Sequence, residues 1–264
     1  MSNNFTAQDV QRLRQLTGAG MLDAKHALEN SGGNMEEAKQ WLRVKGLAGA
    51  AKLEGREAEQ GAVSLVIKNE VAAAVELRCE TDFVAKAPQF VTATEQLANT
   101  LAVEGEHALD GQEETIDELR TSFRENISLG RTLRMEAGHG NAIGGYLHTQ
   151  AGRGINAVAV ELSGGTEELA HDIAVHIAFA KPKYISRSEV PAEDVEAERA
   201  TLLEISRNEG KPESALEKIV EGRLNGFFKD NCLEEQPYVR DEKVTIAKLL
   251  DQAKVVRFSQ IVVG

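Results

Sequence analysis

Ala72-Ala73-Ala74-Val75-Glu76-Leu77-Arg78-Cys79-Glu80-Thr81-Asp82-Phe83-Val84-Ala85 recurs, half intact, 85 residues later as Ala157-Val158-Ala159-Val160-Glu161-Leu162-Ser163-Gly164-Gly165-Thr166-Glu167-Glu168-Leu169-Ala170. Seven of the fourteen positions are identical, where ordinary composition gives about one. Each copy reads as a buried strand, a short turn, a Thr in N-cap position and the first turn of a helix. The chain therefore carries two related α+β units. After the Thr the second copy has Glu167-Glu168, the acidic surface expected of a first helical turn. The first copy has Asp82-Phe83 instead. A Phe there either folds back onto its own sheet or is offered to another molecule. The charged Glu168 at the equivalent position favours an outward-facing residue, and an exposed aromatic beside an acid suits a binding hot spot.

At 264 residues the chain is long enough for two or three compact units. With 42% hydrophobic and 27% charged residues it has the balance of a soluble globular protein. A formal net charge of −12 argues against general nucleic-acid binding, which needs clustered Lys and Arg, and against an anionic membrane surface. The first residues lack the charged and apolar regions of a signal peptide. No apolar run approaches the roughly 18 residues that span a bilayer. A cytoplasmic protein with reduced thiols is expected.

Residues 6–46 read as three short helices around a small core centred on Trp41. Thr6 with Asp9 forms the first cap, and Val10, Leu13 and Leu16 form the first apolar stripe. Thr17-Gly18-Ala19-Gly20 and Ser31-Gly32-Gly33-Asn34 are the breaks. Gly46–Gln60 reads as a linker. Two hairpins follow, Ala62–Leu77 about Lys68-Asn69-Glu70 and Ile143–Leu162, each leading into helix. Between them lie a helix from Pro88, a helix carrying Ile116 to Ile127, and a strand near Thr132–Glu136. Residues 191–229 read as an antiparallel helical hairpin, in which Val195, Leu202 and Ile205 face Leu216, Ile219, Val220 and Phe227. A short helix at Val244–Leu250 precedes a strand, Val255–Val263, that should rejoin the second sheet. The expected units are 1–54, 55–140, 141–190, the arm 191–229, and 230–264 completing the second α+β unit.

Gly152-Arg153-Gly154-Ile155-Asn156-Ala157 has the spacing of a dinucleotide loop, but strand rather than helix follows, so a hairpin turn is the better reading. No phosphate-binding GxxxxGK[ST] is present, and no nucleotide site of the chain's own is expected. Cys79 and Cys232, 153 residues apart, make no metal-ligand spacing. Cys79 before a helix N-terminus could be an activated thiol, with His148 or His176 as base, yet a strand-end Cys is more often a packed apolar residue. Neither a catalytic residue, a metal nor a cofactor stands out.

Leu13-Arg14 with Thr17-Gly18-Ala19-Gly20-Met21, then Cys79-Glu80-Thr81-Asp82-Phe83-Val84-Ala85-Lys86, Tyr146-Leu147-His148, Val220-Glu221-Gly222-Arg223 and Gln236-Pro237-Tyr238-Val239 together resemble the bacterial translation elongation factor Ts family. The resemblance runs in order over nearly the whole chain. It implies a guanine-nucleotide exchange factor for elongation factor Tu. The fold it implies is a three-helix ubiquitin-associated-like domain, a core of two related antiparallel-sheet α+β subdomains, and a projecting helical hairpin. By the same resemblance Asp82 and Phe83, flanked by Thr81 and Val84, would enter the partner's G domain near its magnesium and phosphate site. Arg14, Met21, Leu22 and Lys25 would form the N-terminal contact surface. His148, Val239 and Arg240 would meet another domain of the partner. Leu22 and Arg240 stand where some relatives carry Met. The chain ends soon after its last strand, so an extra C-terminal helical module of some relatives is expected to be missing. A binding adaptor built on the three-helix domain is the second reading, and whether the protein self-associates is left open.

Overall fold

The computed structural model describes residues 5–17, 19–50, 53 and 55–264, with backbone alone for 47–50. Gly18 of the first expected break, and Ala51, Lys52 and Glu54 of the expected linker, lie outside the described residues.

Helices α1 (Ala7–Thr17), α2 (Met21–Asn30) and α3 (Met35–Ala50) open the chain. The capping box at Thr6 forms: Asp9 accepts the Thr6 amide at 2.8 Å, and Thr6 Oγ1 accepts the Asp9 amide at 3.3 Å. Asn34 caps α3 through the Glu36 and Glu37 amides. The core of this unit is Leu13, Ala24, Ala27 and Leu28, all fully buried, rather than Trp41. Trp41 packs at the edge, where Lys45 covers its ring. Leu16 lies on the surface, because α1 is short enough for two apolar residues to fill its side of the core. Helix α3 also runs on into the expected linker. Gly46 permits this, since a Cβ there would stand 2.6 Å from Thr121 of a neighbouring helix.

The first α+β unit comprises β1 (Gln60–Lys68), β2 (Val71–Cys79), α4 (Asp82–Ala85), α5 (Pro88–Glu104), α6 (Glu113–Phe123) and β3 (Ser128–Glu136). Its antiparallel sheet has the order β1-β2-β3. Ile127 lies beyond α6, which stops at Arg124 in left-handed conformation, so β3 begins earlier than the apolar pattern indicated. The second unit has β4 (Ala142–Gln150), β5 (Arg153–Ser163) and α7 (Glu167–Ala180). Helices α8 (Ala192–Asn208) and α9 (Glu213–Asn231) form the hairpin; β6 (Pro237–Tyr238), β7 (Asp241–Thr245) and α10 (Ile246–Leu250) lead to β8 (Lys254–Val262). The last strand pairs with β5, closing an antiparallel β4-β5-β8 sheet. In the hairpin Ser206 is buried and Ile205 exposed, one position off the expected seam. The Ser206 hydroxyl is satisfied by the Leu202 carbonyl at 2.7 Å, which lets a small polar residue take the close-packed position.

Both hairpins turn through two residues with positive φ, Asn69-Glu70 and Ala151-Gly152, the geometry that matches strand twist. The GxGxxA spelling is thus a turn followed by β5, and Gly154 is required there by the other sheet: a Cβ would lie 2.1 Å from the Val63 carbonyl. The two sheets share apolar clusters, Val63 and Ala74 with Ala157 and Ile261, and Ala72 and Met135 with Ile143 and Ala159.

The repeat extends to charge. Glu76 and Glu161, equivalent residues on β2 and β5, are 1% and 2% exposed. Arg131 of β3 grips Glu76 through two nitrogens, at 2.9 and 3.0 Å. Arg257 of β8 grips Glu161 at 2.6 Å. Each arginine then reaches across to the other sheet, Arg131 to the Val262 carbonyl and Arg257 to the Glu136 carbonyl. Burial pushes both carboxyls up, but their arginine, amide and backbone hydrogen bonds outweigh it and hold them below the usual carboxylate range.

Candidate partner-binding surface

The strand-turn-helix repeat positions the first candidate site. In both copies the Thr side chain accepts an amide three residues on, Thr81 from Val84 at 3.4 Å and Thr166 from Leu169 at 3.1 Å. The apolar positions of α4 then divide by helical geometry. Val84 and Ala85 enter the core beneath the first sheet, beside Phe90 and Leu97. Phe83, one step round the helix, is 82% exposed. Its counterpart Glu168 is exposed as well. Val84, expected beside Phe83 among the contacts, is only 8% exposed and anchors the turn in the free chain. Lys86 closes α4, and the extended Ala87 then caps α5, which opens on Pro88 at its first position.

Asp82 stands beside Phe83 with its carboxylate 2.5 Å from the Lys86 ammonium. That bond holds the carboxyl below its ordinary range, so Asp82 is ionised at neutral pH. Residues that nothing in the local pattern singled out fix the start of the turn. Glu125 Oε2 accepts the Glu80 and Thr81 amides, each at 3.0 Å, and Thr81 Oγ1 donates to Glu125 Oε1 at 2.5 Å. Glu80 in return accepts the Asn126 amide at 2.7 Å. Cys79 is packed inside, its Sγ–H directed at the Thr81 carbonyl. Burial, then the Glu125 carboxylate, push its thiol up to about 12, the opposite of an activated nucleophile.

The second group sits against α7. His148, exposed near the end of β4, bonds the Tyr146 hydroxyl at 3.2 Å, and the Tyr146 ring meets His171 of α7 edge-on. Arg240 pairs with Asp172 of α7 at 2.7 Å. Val239 is half-buried, and its amide donates to His176 Nδ1 at 3.2 Å. That bond fixes the tautomer: His176 is neutral and donates from Nε2 to Gln236 Oε1 at 2.9 Å. Burial drives its pKa down. The unfolded chain then binds a proton that the folded chain refuses, so stability present above about pH 6.5 is lost as pH falls through that value. Thermal unfolding between pH 7.5 and 5.5 should show a larger fall in Tm for the native chain than for His176→Gln. Equal falls would mean that His176 is not the group responsible.

Arg14, Met21, Leu22 and Lys25 lie on the surface of the N-terminal helices, Leu22 at 71% exposure, with Lys25 3.6 Å from Glu29. Asp23 between them accepts from Arg124 of the first α+β unit at 3.0 Å and from Lys45 of its own unit's α3 at 2.9 Å. The candidate residues thus fall into three groups on three units. Among the described residues no cluster of side chains could hold a metal, and no helix is long and apolar enough to cross a membrane.

A family profile described as "Elongation factor TS" matches residues 80–264. Curated relatives named Elongation factor Ts are similar over 99% of both chains: 46% identical in Streptomyces avermitilis, 45% in Streptomyces griseus and 43% in Clavibacter michiganensis.

Proposed function

The chain belongs to the elongation factor Ts family, and from that premise we propose that it is a guanine-nucleotide exchange factor which binds elongation factor Tu and accelerates release of its GDP. The observation that carries the mechanism is Phe83, 82% exposed on a turn whose sibling bears Glu168. A rigid aromatic fills space in a groove while losing little conformational entropy. Directed with ionised Asp82 at the partner's magnesium and phosphate site, it disturbs the metal that neutralises the phosphates. The chain alters no bond: it binds nucleotide-free partner more tightly than GDP-bound partner, and by linkage GDP weakens it equally. Arg14, Met21, Leu22 and Lys25 supply one further contact surface, and His148, Val239 and Arg240 another.

Release of fluorescent GDP from elongation factor Tu tests this, with acceleration at substoichiometric chain as the expected result. No acceleration would favour the adaptor reading.

Residues 1–54 form the proposed N-terminal unit. Its apolar core shares no residue with the core of the first sheet, and they meet through surface pairs such as Arg43–Glu114 and Asp23–Arg124. Removing 1–54 should therefore weaken association while the remainder still unfolds cooperatively and, at saturation, still releases GDP. Loss of cooperative unfolding would move the boundary.

A further inference from the structure

We infer that Glu125 is the positioning residue of the exchange reaction, the group that presets the Thr81-Asp82-Phe83 turn before the partner arrives. This rests on the wedge reading of Asp82 and Phe83. A four-residue helix has no stability of its own, because nucleation alone is unfavourable. What keeps α4 in place must come from outside it. Val84 and Ala85 anchor its inner side, but they leave the N-terminal end of the turn, where the wedge begins, to be held by polar bonds.

Glu125 supplies three of these, to the Glu80 amide, the Thr81 amide and the Thr81 hydroxyl. It arrives there because Arg124 ends α6 with φ +58°, a left-handed conformation that is costly for a side chain other than glycine. Asn126 completes the clasp from the opposite direction, its amide donating to Glu80 and its side chain to the Arg56 carbonyl. Forty-five residues of chain separate Glu80 from Glu125, so the clasp is a tertiary device rather than a local cap.

The sibling turn provides the control within the same molecule. Thr166 has the same N-cap bond, yet among the described residues no side chain accepts the Gly165 or Thr166 amide. That turn carries Glu167-Glu168 and heads a helix of fourteen residues that needs no help. The clasp appears only where the turn bears Phe83.

A turn that is held loses little freedom when it inserts, whereas a loose turn is competent for only part of the time. Contacts elsewhere on the chain bring the partner in regardless. Loss of the clasp should consequently lower the maximal rate of GDP release more than the concentration of chain needed for half-maximal release. Glu125→Gln offers a rescue. Its amide oxygen can accept the two backbone amides, and Thr81 Oγ1 can accept from its NH₂ instead of donating.

The experiment measures release of fluorescent GDP from elongation factor Tu across chain concentration, for the native chain, Glu125→Ala, Glu125→Gln and Phe83→Ala, with Tm recorded for each. The expected result is a maximal rate roughly tenfold lower for Glu125→Ala, from three lost charge-assisted bonds, with half-saturation within about threefold of native. Glu125→Gln should recover most of the rate. A folded Glu125→Ala with the native maximal rate, beside an inactive Phe83→Ala, overturns the positioning role and leaves the wedge standing. A native rate for Phe83→Ala overturns the wedge and this inference with it. A lower Tm with unchanged release per folded molecule reduces Glu125 to a structural residue and also overturns it. If Glu125→Ala does not fold, Thr81→Val removes the hydroxyl alone, and unchanged release by that variant overturns the assignment.

Discussion

Phe83→Ala is expected to leave the protein as stable as before and to remove most of its exchange activity. The ring is 82% exposed, so truncation opens no cavity and Tm should move by no more than an ordinary surface substitution does. Truncating an interfacial aromatic that fills a pocket costs about 2 kcal/mol or more. Spent on the release step, that is roughly thirtyfold in rate, since each 1.4 kcal/mol is tenfold. Stopped-flow release of fluorescent GDP, with a melting curve on the same sample, checks both halves. Native release with unchanged Tm would remove Phe83 from the mechanism. A large fall in Tm would mean that the ring packs on its own domain after all.

The largest expected effect on stability lies elsewhere, at Glu161. Its carboxylate is buried and bound to Arg257, Asn141 and the Gly138 amide. Glu161→Ala leaves the Gly138 amide and the Asn141 side chain without their acceptor and Arg257 with the Glu136 carbonyl alone, and breaking a buried pair costs about 3–5 kcal/mol. Arg257 is half exposed and can turn to water, which places the expected loss near the lower end. Urea unfolding should show a lower midpoint at an unchanged slope. The pH dependence has a definite sign. A carboxyl whose folded pKa lies below its unfolded value contributes stability at neutral pH and loses it as pH falls below about 4.3. The gap between native chain and Glu161→Ala should therefore narrow in acid. A gap that stays constant from pH 7 down to about pH 3 would show that packing, rather than the ion pair, carries the difference.

How much of this was legible in the sequence depended on the range of the interaction. The repeat announced the two strand-turn-helix units, both Thr caps and the outward position of residue 83, because each is decided within about ten residues. The closing strand could be assigned to the second sheet from its apolar run. Helix α3 overran its expected end because the reason lies on α6, where Thr121 accepts only a glycine opposite. Val84 was grouped with Asp82 and Phe83 by the resemblance alone, and only the sheet beneath reveals its burial. Glu76 and Glu161 each interrupt an apolar strand at the same repeat position, and that was a usable signal for a buried carboxylate awaiting a cation. Glu125 gave none. Its importance arises from meeting a turn 44 residues away in the chain, and no periodicity encodes that.

Exchange by this route is a statement about differential affinity, and it can be measured directly. Equilibrium titrations would give the Kd of the chain for nucleotide-free and for GDP-bound elongation factor Tu, and the Kd of GDP for elongation factor Tu with and without the chain. The account predicts that the chain binds the nucleotide-free form more tightly, and that GDP is weakened by the same factor when the chain is present. Equal affinity of the chain for both forms would contradict it, however tightly it bound.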